Sequence, residues 1–369
     1  MWLKVKRNIL LNPGPATTTD SVKRALVAPD ICPREKEFCE VVREIRIDLV
    51  KIAHGDDSYT CVLFAGSGTS VMDAAINSVT PPAKKIAIIN NGAYGERMVK
   101  IAQAYNLDYV EIKYEFGAKI NPSQVAEILK KDKDIACLAM VHHETTTGLL
   151  NPVKEIGKIV KENNCVFIVD TISSFAGIPI DIKDWQIDFM MSTSNKCIQG
   201  MAGVAFIICK KSELEKLKDY PRRSFYLNLY DQYLYFEKTG QSQFTPPVQI
   251  LYALKQAIKE YFAEGGENRY QRYTENWKVL RQGLLDLGFK LFHEPEDESH
   301  ILLTVYEPEL PGYNFEAMHD YLYARGFTIY PGKIGNKNTF RLANMGEINT
   351  KDIKKFLKAL ASYLKSIQR

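Results

Sequence analysis

Lys196 and Asp170 stand twenty-six residues apart, each just beyond an apolar run: Cys165-Val166-Phe167-Ile168-Val169 precedes the acid, and Phe189-Met190-Met191 leads through Ser192-Thr193-Ser194-Asn195 to the lysine. If the two runs are neighbouring parallel strands, their ends meet at the sheet edge where α/β folds collect ligands. A carboxylate at about 4 Å from a pyridinium nitrogen gains roughly 4 kcal/mol at an effective dielectric of 20, worth about three pKa units on that nitrogen. A ring kept protonated in this way withdraws electrons from an amine-bearing carbon, and a lysine supplies the covalent tether. Those are the two protein groups that pyridoxal phosphate chemistry needs. A solvated lysine at a strand end and an aspartate capping a helix would leave the same trace in the sequence.

Three further stretches could serve such a ring. Phe64-Ala65-Gly66-Ser67-Gly68-Thr69-Ser70 joins a strand to a helix, where backbone amides and the helix N-terminus favour an anion. Val71 stands where a dinucleotide fingerprint has its third glycine, so a single phosphate suits the loop better than a pyrophosphate; a glycine turn made only for helix packing is the alternative. Asn90-Asn91-Gly92-Ala93-Tyr94-Gly95-Glu96 reads as a second strand-to-helix turn, in which Tyr94 could lay its face on a flat ring or stand as an exposed loop tyrosine. His142-His143-Glu144-Thr145-Thr146-Thr147-Gly148 offers hydroxyls at the same edge. Thr145 could hydrogen-bond a phenolate oxygen there, or the threonines could bond within their own turn.

Two arginines are candidates for a substrate anion. Arg341, in Thr339-Phe340-Arg341-Leu342-Ala343, projects a fork of donors from a strand whose neighbouring side chains face away. Arg34, in Pro33-Arg34-Glu35, could help hold a doubly charged anion, or pair with Glu35 or Glu37.

The elements that must position these groups alternate in the manner of a doubly wound, mostly parallel sheet. Strands are expected at 61–65, 86–90, 108–112, 135–141, 165–169, 187–193 and 203–209, with helices at 67–79, 96–105, 122–131 and 152–163. A long helical stretch from Val248 passes Gly265-Gly266, a plausible hinge. Beyond it come a long helix, strands at 300–306 and 338–343, and helices at 314–325 and 350–368. The expected domains are 16–264 and 265–369, with 1–15 as a segment packing near the second.

A chain of 369 residues with a net charge of +4 and scattered Lys and Arg gives no concentrated basic field, which argues against nucleic acid. No apolar run is long enough to span a bilayer, and the basic start is followed only by Ile9-Leu10-Leu11, so no signal peptide is expected. Seven cysteines without Cys-x-x-Cys spacing, several inside apolar runs, suit reduced thiols in the cytoplasm. His142-His143 are adjacent on an extended segment and cannot readily grip one metal. A nicotinamide dehydrogenase would need the full glycine fingerprint.

Set together, these segments resemble the class V, fold-type I aminotransferases, in the branch that moves an amino group from 2-aminoethylphosphonate to pyruvate. The resemblance runs almost end to end, through Leu10-Leu11-Asn12-Pro13-Gly14-Pro15, Pro29 to Glu35, Gly66 to Thr69, Asn91 to Arg97, His142 to Gly148, Val169-Asp170, Asn195 to Gly200 and Phe340-Arg341. It implies a large domain with a seven-stranded sheet, a smaller C-terminal α/β domain and pyridoxal 5′-phosphate as cofactor. It also implies a homodimer with shared sites, and ping-pong kinetics in which the cofactor alternates between pyridoxal and pyridoxamine forms. Lys196 then resembles the Schiff-base lysine, Asp170 the pyridinium partner, Ser67, Gly68 and Thr69 the phosphate loop, and Tyr94 the stacking aromatic. Thr145 looks like the hydroxyl near the ring oxygen, Arg341 the substrate anion receptor, and Thr245 the residue lent to the neighbouring subunit's phosphate. Met201-Ala202-Gly203 departs from the Val-Pro-Gly expected after the lysine motif. The alternative within the family is a transaminase using alanine or serine with glyoxylate. Cysteine desulfurases place His where Asn195 stands.

Overall fold

A computed structural model describes residues 7–367 of the chain. Seven apolar segments form one sheet: β1 (Tyr59–Gly66), β2 (Lys85–Asn90), β3 (Tyr109–Lys113), β4 (Ile135–Val141), β5 (Val166–Asp170), β6 (Phe189–Thr193) and β7 (Gly203–Lys210). Their order is β1-β7-β6-β5-β4-β2-β3, and β7 alone runs against its neighbours. The central strands are continuous apolar runs because helices cover both faces; β5 and β6, for example, carry Phe167, Ile168, Met190 and Met191 in the main core.

Helices α1 (Lys36–Ile52), α2 (Gly68–Val79), α3 (Ala93–Ala104), α4 (Pro122–Lys131), α5 (Val153–Glu162), α6 (Leu229–Thr239) and α7 (Val248–Glu264) surround the sheet. α4 starts where expected, because Asn121 caps its first amides and Pro122 occupies a position whose missing donor costs nothing. The helical stretch from Val248 breaks at the expected glycine pair into α7 and α8 (Gly266–Asp286), divided at Gly265, whose φ of +84° suits glycine alone. α1 and α6, which were not anticipated, pack on β1.

A second core gathers Trp277, Leu280, Phe340, Leu342 and Phe356 with Ile9 and Leu11 from the start of the chain. Its sheet is antiparallel: β8 (Leu302–Tyr306), β9 (Tyr330–Pro331) and β10 (Thr339–Ala343), with β10 in the middle. Helices α9 (Phe315–Tyr323) and α10 (Thr350–Ile367) pack on one another over it; position 368, included in the expected last helix, lies outside the described residues. Ile9–Leu10 pairs in parallel with Phe327–Thr328, and Leu11 O accepts from Ala343 N at 2.7 Å. The N-terminal segment is therefore tied to the second core while its next residues reach back to the large sheet.

Register decides what meets at the sheet edge. Asp170 stands opposite Val141 on one side and Met191 on the other, and Gly203 opposite Gly66. The loops after β1, β2, β4, β5 and β6 all leave from this end.

Candidate active site

Asp170 is 3 % exposed and accepts one hydrogen bond, from Ile172 N to Oδ1 at 2.7 Å. Burial pushes its carboxyl up to about 7, against the opposing pull of the Ile172 amide; Glu144 adds to the rise while Arg97 and Lys196 oppose it. Lys196 lies on the tight turn after β6, where Gln199 N bonds Lys196 O at 2.9 Å and Gly200 N bonds Ser194 O at 2.7 Å. Burial lowers its amine to about 8; Cys197 and Asp170 pull it back up, and Arg341 and Arg97 push it further down. Nζ donates to the carbonyl of Pro13, and any Cβ at Gly14 would collide with it. The N-terminal strap thus passes directly over the lysine, and Ala16 N anchors it on Asn195 O at 2.9 Å.

At the exit of β1, Ser67 precedes α2, and the first-turn amides of Gly68 and Thr69 have no acceptor within the helix. Such an end favours an anion. Gly68 is required by packing as well: a Cβ there would come within 2.9 Å of Ile172 Cδ1. The Thr69 hydroxyl accepts from Arg97 Nη1 at 3.0 Å.

Tyr94 sits in the first turn of α3 and not, as expected, in a loop before it. The helix starts early because the turn after β4 caps it: Ala93 N donates to Thr146 Oγ1 at 3.0 Å and Gly95 N to Glu144 Oε2 at 3.4 Å. Buried Glu144 places its charge at the positive end of that helix; burial still raises its pKa, and its bonds with Thr146 and Gly95 oppose the rise. Burial raises the pKa of half-buried Tyr94, while Arg341 and Arg97 oppose the shift.

Thr146, not Thr145, makes the local turn bond, to Glu144 Oε1 at 2.6 Å. Thr145 is buried, and no hydrogen bond among the described residues engages its hydroxyl; its carbonyl receives Arg341 Nη1 at 3.2 Å. Arg341 extends from β10 with Phe340 and Leu342 turned into the second core, its Nη2 3.3 Å from Pro331 O and its buried Nε without a partner. Burial lowers its pKa, which Tyr94, Tyr330 and Glu144 partly restore. His142 and His143 hydrogen-bond Ser174 and Ser173 and are held neutral, with pKa values lowered to about 3 by burial.

Two candidates do not join this cluster. Arg34 is exposed, with Nη1 3.0 Å from Tyr235 OH and 2.8 Å from Gln241 Oε1; among the described residues it pairs with neither Glu35 nor Glu37 and shares no partner with Arg341. Thr245 is exposed a few residues beyond Gln241, next to Phe244, which stacks on Tyr226 at 5.0 Å. Phe225, 83 % exposed, joins the same aromatic group.

A sequence profile of the aminotransferase class-V family matches residues 23–348. The chain is 40 % identical over 361 residues to a 2-aminoethylphosphonate–pyruvate transaminase of Phocaeicola vulgatus, covering 97 % of this chain and 99 % of that one. It is 42 % identical over 355 residues to a transaminase of the same description from Vibrio cholerae, covering 95 % and 96 %. This protein is a class-V aminotransferase. Among solved structures, an alanine–glyoxylate aminotransferase from Nostoc superposes with a TM-score of 0.89 at 27 % identity, covering 98 % of this chain and 96 % of that one.

Pyridoxal 5′-phosphate, the cofactor of this family, fits the groups present. A class-V aminotransferase needs a carboxylate for the ring nitrogen, an amine for the aldehyde and donors for the phosphate. This chain offers a buried acid with a single amide partner, a buried amine with a lowered pKa, helix-end amides without an acceptor in the helix and, on buried Thr145, a hydroxyl that no hydrogen bond among the described residues engages. Sequence reasoning missed what holds the aminotransferase's lysine turn from behind. Arg269 Nη1 donates to Cys197 O at 2.9 Å and Gln199 Nε2 to Tyr273 OH at 2.8 Å, both from α8. It also missed the strap over Lys196 and gave Arg97 no role, although the spacing from Tyr94 puts both on one helix face.

Proposed function

We propose that this class-V aminotransferase moves the amino group of 2-aminoethylphosphonate to pyruvate, giving phosphonoacetaldehyde and L-alanine. The observation that carries this reading is the end-to-end similarity to transaminases of that description. The chemistry of the cluster agrees with it.

When bound, pyridoxal phosphate supplies an electron-withdrawing ring that carries the amino group between the two acids. Asp170 would hold the ring nitrogen, Ser67, Gly68 and Thr69 the phosphate, Thr145 the ring oxygen, and Tyr94 one face of the ring. Lys196 Nζ, its pKa lowered to about 8, is largely neutral only above that pH, about two pH units sooner than a free lysine. It would take a proton from the amine-bearing carbon of 2-aminoethylphosphonate and return one to the carbon that becomes Cα of L-alanine. Arg341 would receive the phosphonate in the first half-reaction and the pyruvate carboxylate in the second. One site serving two acids in turn implies ping-pong kinetics, read as parallel double-reciprocal lines.

The same reading assigns Arg34 and Thr245 to a partner subunit. Both lie exposed on one face with Phe225, Tyr226 and Phe244, and Arg34 is held ready by neutral partners only. A homodimer would bring Thr245 to the partner's phosphate and Arg34 to its dianionic substrate. The domains of such a protomer are 16–264 and 265–369, with the described part of the N-terminal segment, 7–15, packing near the second while residues 1–6, 368 and 369 lie outside the described residues, and its free thiols suit the cytoplasm.

Visible spectroscopy tests the reaction: the purified protein should show a cofactor band that 2-aminoethylphosphonate bleaches and pyruvate restores. A band answering to alanine or serine with glyoxylate, and not to 2-aminoethylphosphonate, would replace this reading with the alternative. Co-expression tests the shared site. Arg34→Ala and Lys196→Ala chains, each poorly active alone, should together recover about a quarter of wild-type sites, because half the dimers are mixed and each mixed dimer has one intact site.

A further inference from the structure

We propose that Arg97 is a positioning residue that aims two groups at the cofactor at once, the Thr69 hydroxyl at its phosphate and the Tyr94 ring at its pyridine ring. The proposal rests on the reading of the site given above.

Arg97 follows Tyr94 by three residues on α3, so both project from one face of the helix. Its Nη1 donates to Thr69 Oγ1 at 3.0 Å, and its guanidinium carbon lies 4.7 Å from the centroid of the Tyr94 ring. The first contact orients a hydroxyl. A threonine oxygen that accepts from a cation keeps its own hydrogen to donate elsewhere, and the polarised O–H is a stronger donor. Thr69 stands in the first turn of α2, beside amides without acceptors, so an anion there is the natural recipient.

The second contact holds an aromatic ring. A guanidinium over one face of a tyrosine is attracted to its electron-rich surface and leaves the opposite face for a flat ligand. Arg97 makes no direct ion pair among the described residues; its side chain is held by Thr69 and the Tyr94 ring. Asp170 and Lys196 both feel the Arg97 charge as a downward pull on their pKa, which favours the ionised acid and the neutral amine.

The test is a titration of the full-length apoprotein with pyridoxal phosphate and with pyridoxal, which lacks the phosphate, followed by visible absorbance. Arg97→Met and Thr69→Val should each weaken pyridoxal phosphate binding about tenfold, the loss expected for one charge-assisted hydrogen bond. Together they should weaken it little more than either alone, since one contact has been removed twice. With pyridoxal, Thr69→Val should change nothing, while Arg97→Met should keep a smaller loss from the unsupported Tyr94 ring. Arg97→Lys, which keeps the charge without the fork, should fall between wild type and Arg97→Met and stays informative if Arg97→Met folds poorly. Wild-type affinity in Arg97→Met, or losses that simply add, would overturn the proposal. A wild-type apoprotein that takes up no pyridoxal phosphate would instead sink the function proposed above.

Discussion

Strand β5 has a buried aspartate and a lysine at each end, and the two pairs behave differently. At the entry, Asp188 accepts Phe167 N at 2.9 Å and forms an ion pair with Lys161. At the exit, Asp170 has one amide, and Lys196 Nζ donates its hydrogen bond to a backbone carbonyl of the strap instead of to the acid. Burial raises the pKa of both acids, but at Asp188 the Lys161 charge is the first force opposing the rise, whereas at Asp170 that place belongs to a single amide. The entry pair is in contact, both bonds falling on Asp188 Oδ2 while the buried Oδ1 has no partner, and it holds two elements together. The exit pair is kept apart, and a group with a cationic nitrogen and an aldehyde would complete it. A buried charge without its partner is costly, so a fold that maintains one marks the place where a ligand supplies it.

Breaking the exit pair should have the largest effect. Lys196→Ala should lower L-alanine formation by at least about 10³-fold, since the same amine serves as tether and base, while the melting temperature stays close to wild type. Asp170→Asn should cost about 10²-fold in kcat and yet stabilise the cofactor-free protein above neutral pH. The sign follows from the raised pKa. An acid whose folded-state pKa of about 7 exceeds its unfolded value favours folding at low pH and loses that contribution as pH rises through 7. Asparagine carries no charge to lose, so apoprotein stabilities of wild type and variant should diverge between about pH 4 and pH 7 and run parallel above that.

Breaking the entry pair should do the reverse. Asp188→Ala leaves Phe167 N and Lys161 without their acceptor and should cost about 2 kcal/mol in urea denaturation, with turnover at 25 °C within about twofold of wild type. If it abolished transamination while leaving stability intact, the contrast between the two ends would be lost. The smallest effect concerns pH. The Lys196 amine, lowered to about 8, must be neutral to attack an aldehyde, so the rate at which apoprotein takes up pyridoxal phosphate should rise about tenfold between pH 7 and 9 and then level off. A rate still climbing steeply at pH 10 would show an ordinary exposed lysine.

Much of this was legible without coordinates because it rests on local signals. The seven strands appear within one or two residues of their expected bounds, since a strand buried on both faces must be an unbroken apolar run. Asp170, Lys196, Thr69 and Arg341 stand in the middle of such runs, at their ends or just beyond them, so the sequence singles them out together with the strands. Tyr94 was found but misplaced, because the bonds that start its helix early come from Glu144 and Thr146, some fifty residues away. Arg34 was grouped with Arg341 on charge alone, and its hydrogen bonds to Tyr235 and Gln241 place it on an outer face.

Residue types and spacing by themselves pointed to the sheet and to Lys196 and Asp170 at its edge, because periodicity and strand-end chemistry are written within a few neighbours; the family came from the resemblance of whole segments. Only the tertiary structure decided that the strap at Pro13-Gly14 covers Lys196, that Arg269 and Tyr273 brace its turn, and that Arg97 spans Thr69 and Tyr94. Each of those contacts joins segments distant along the chain. Their geometry follows from how the layers pack, which no local pattern encodes.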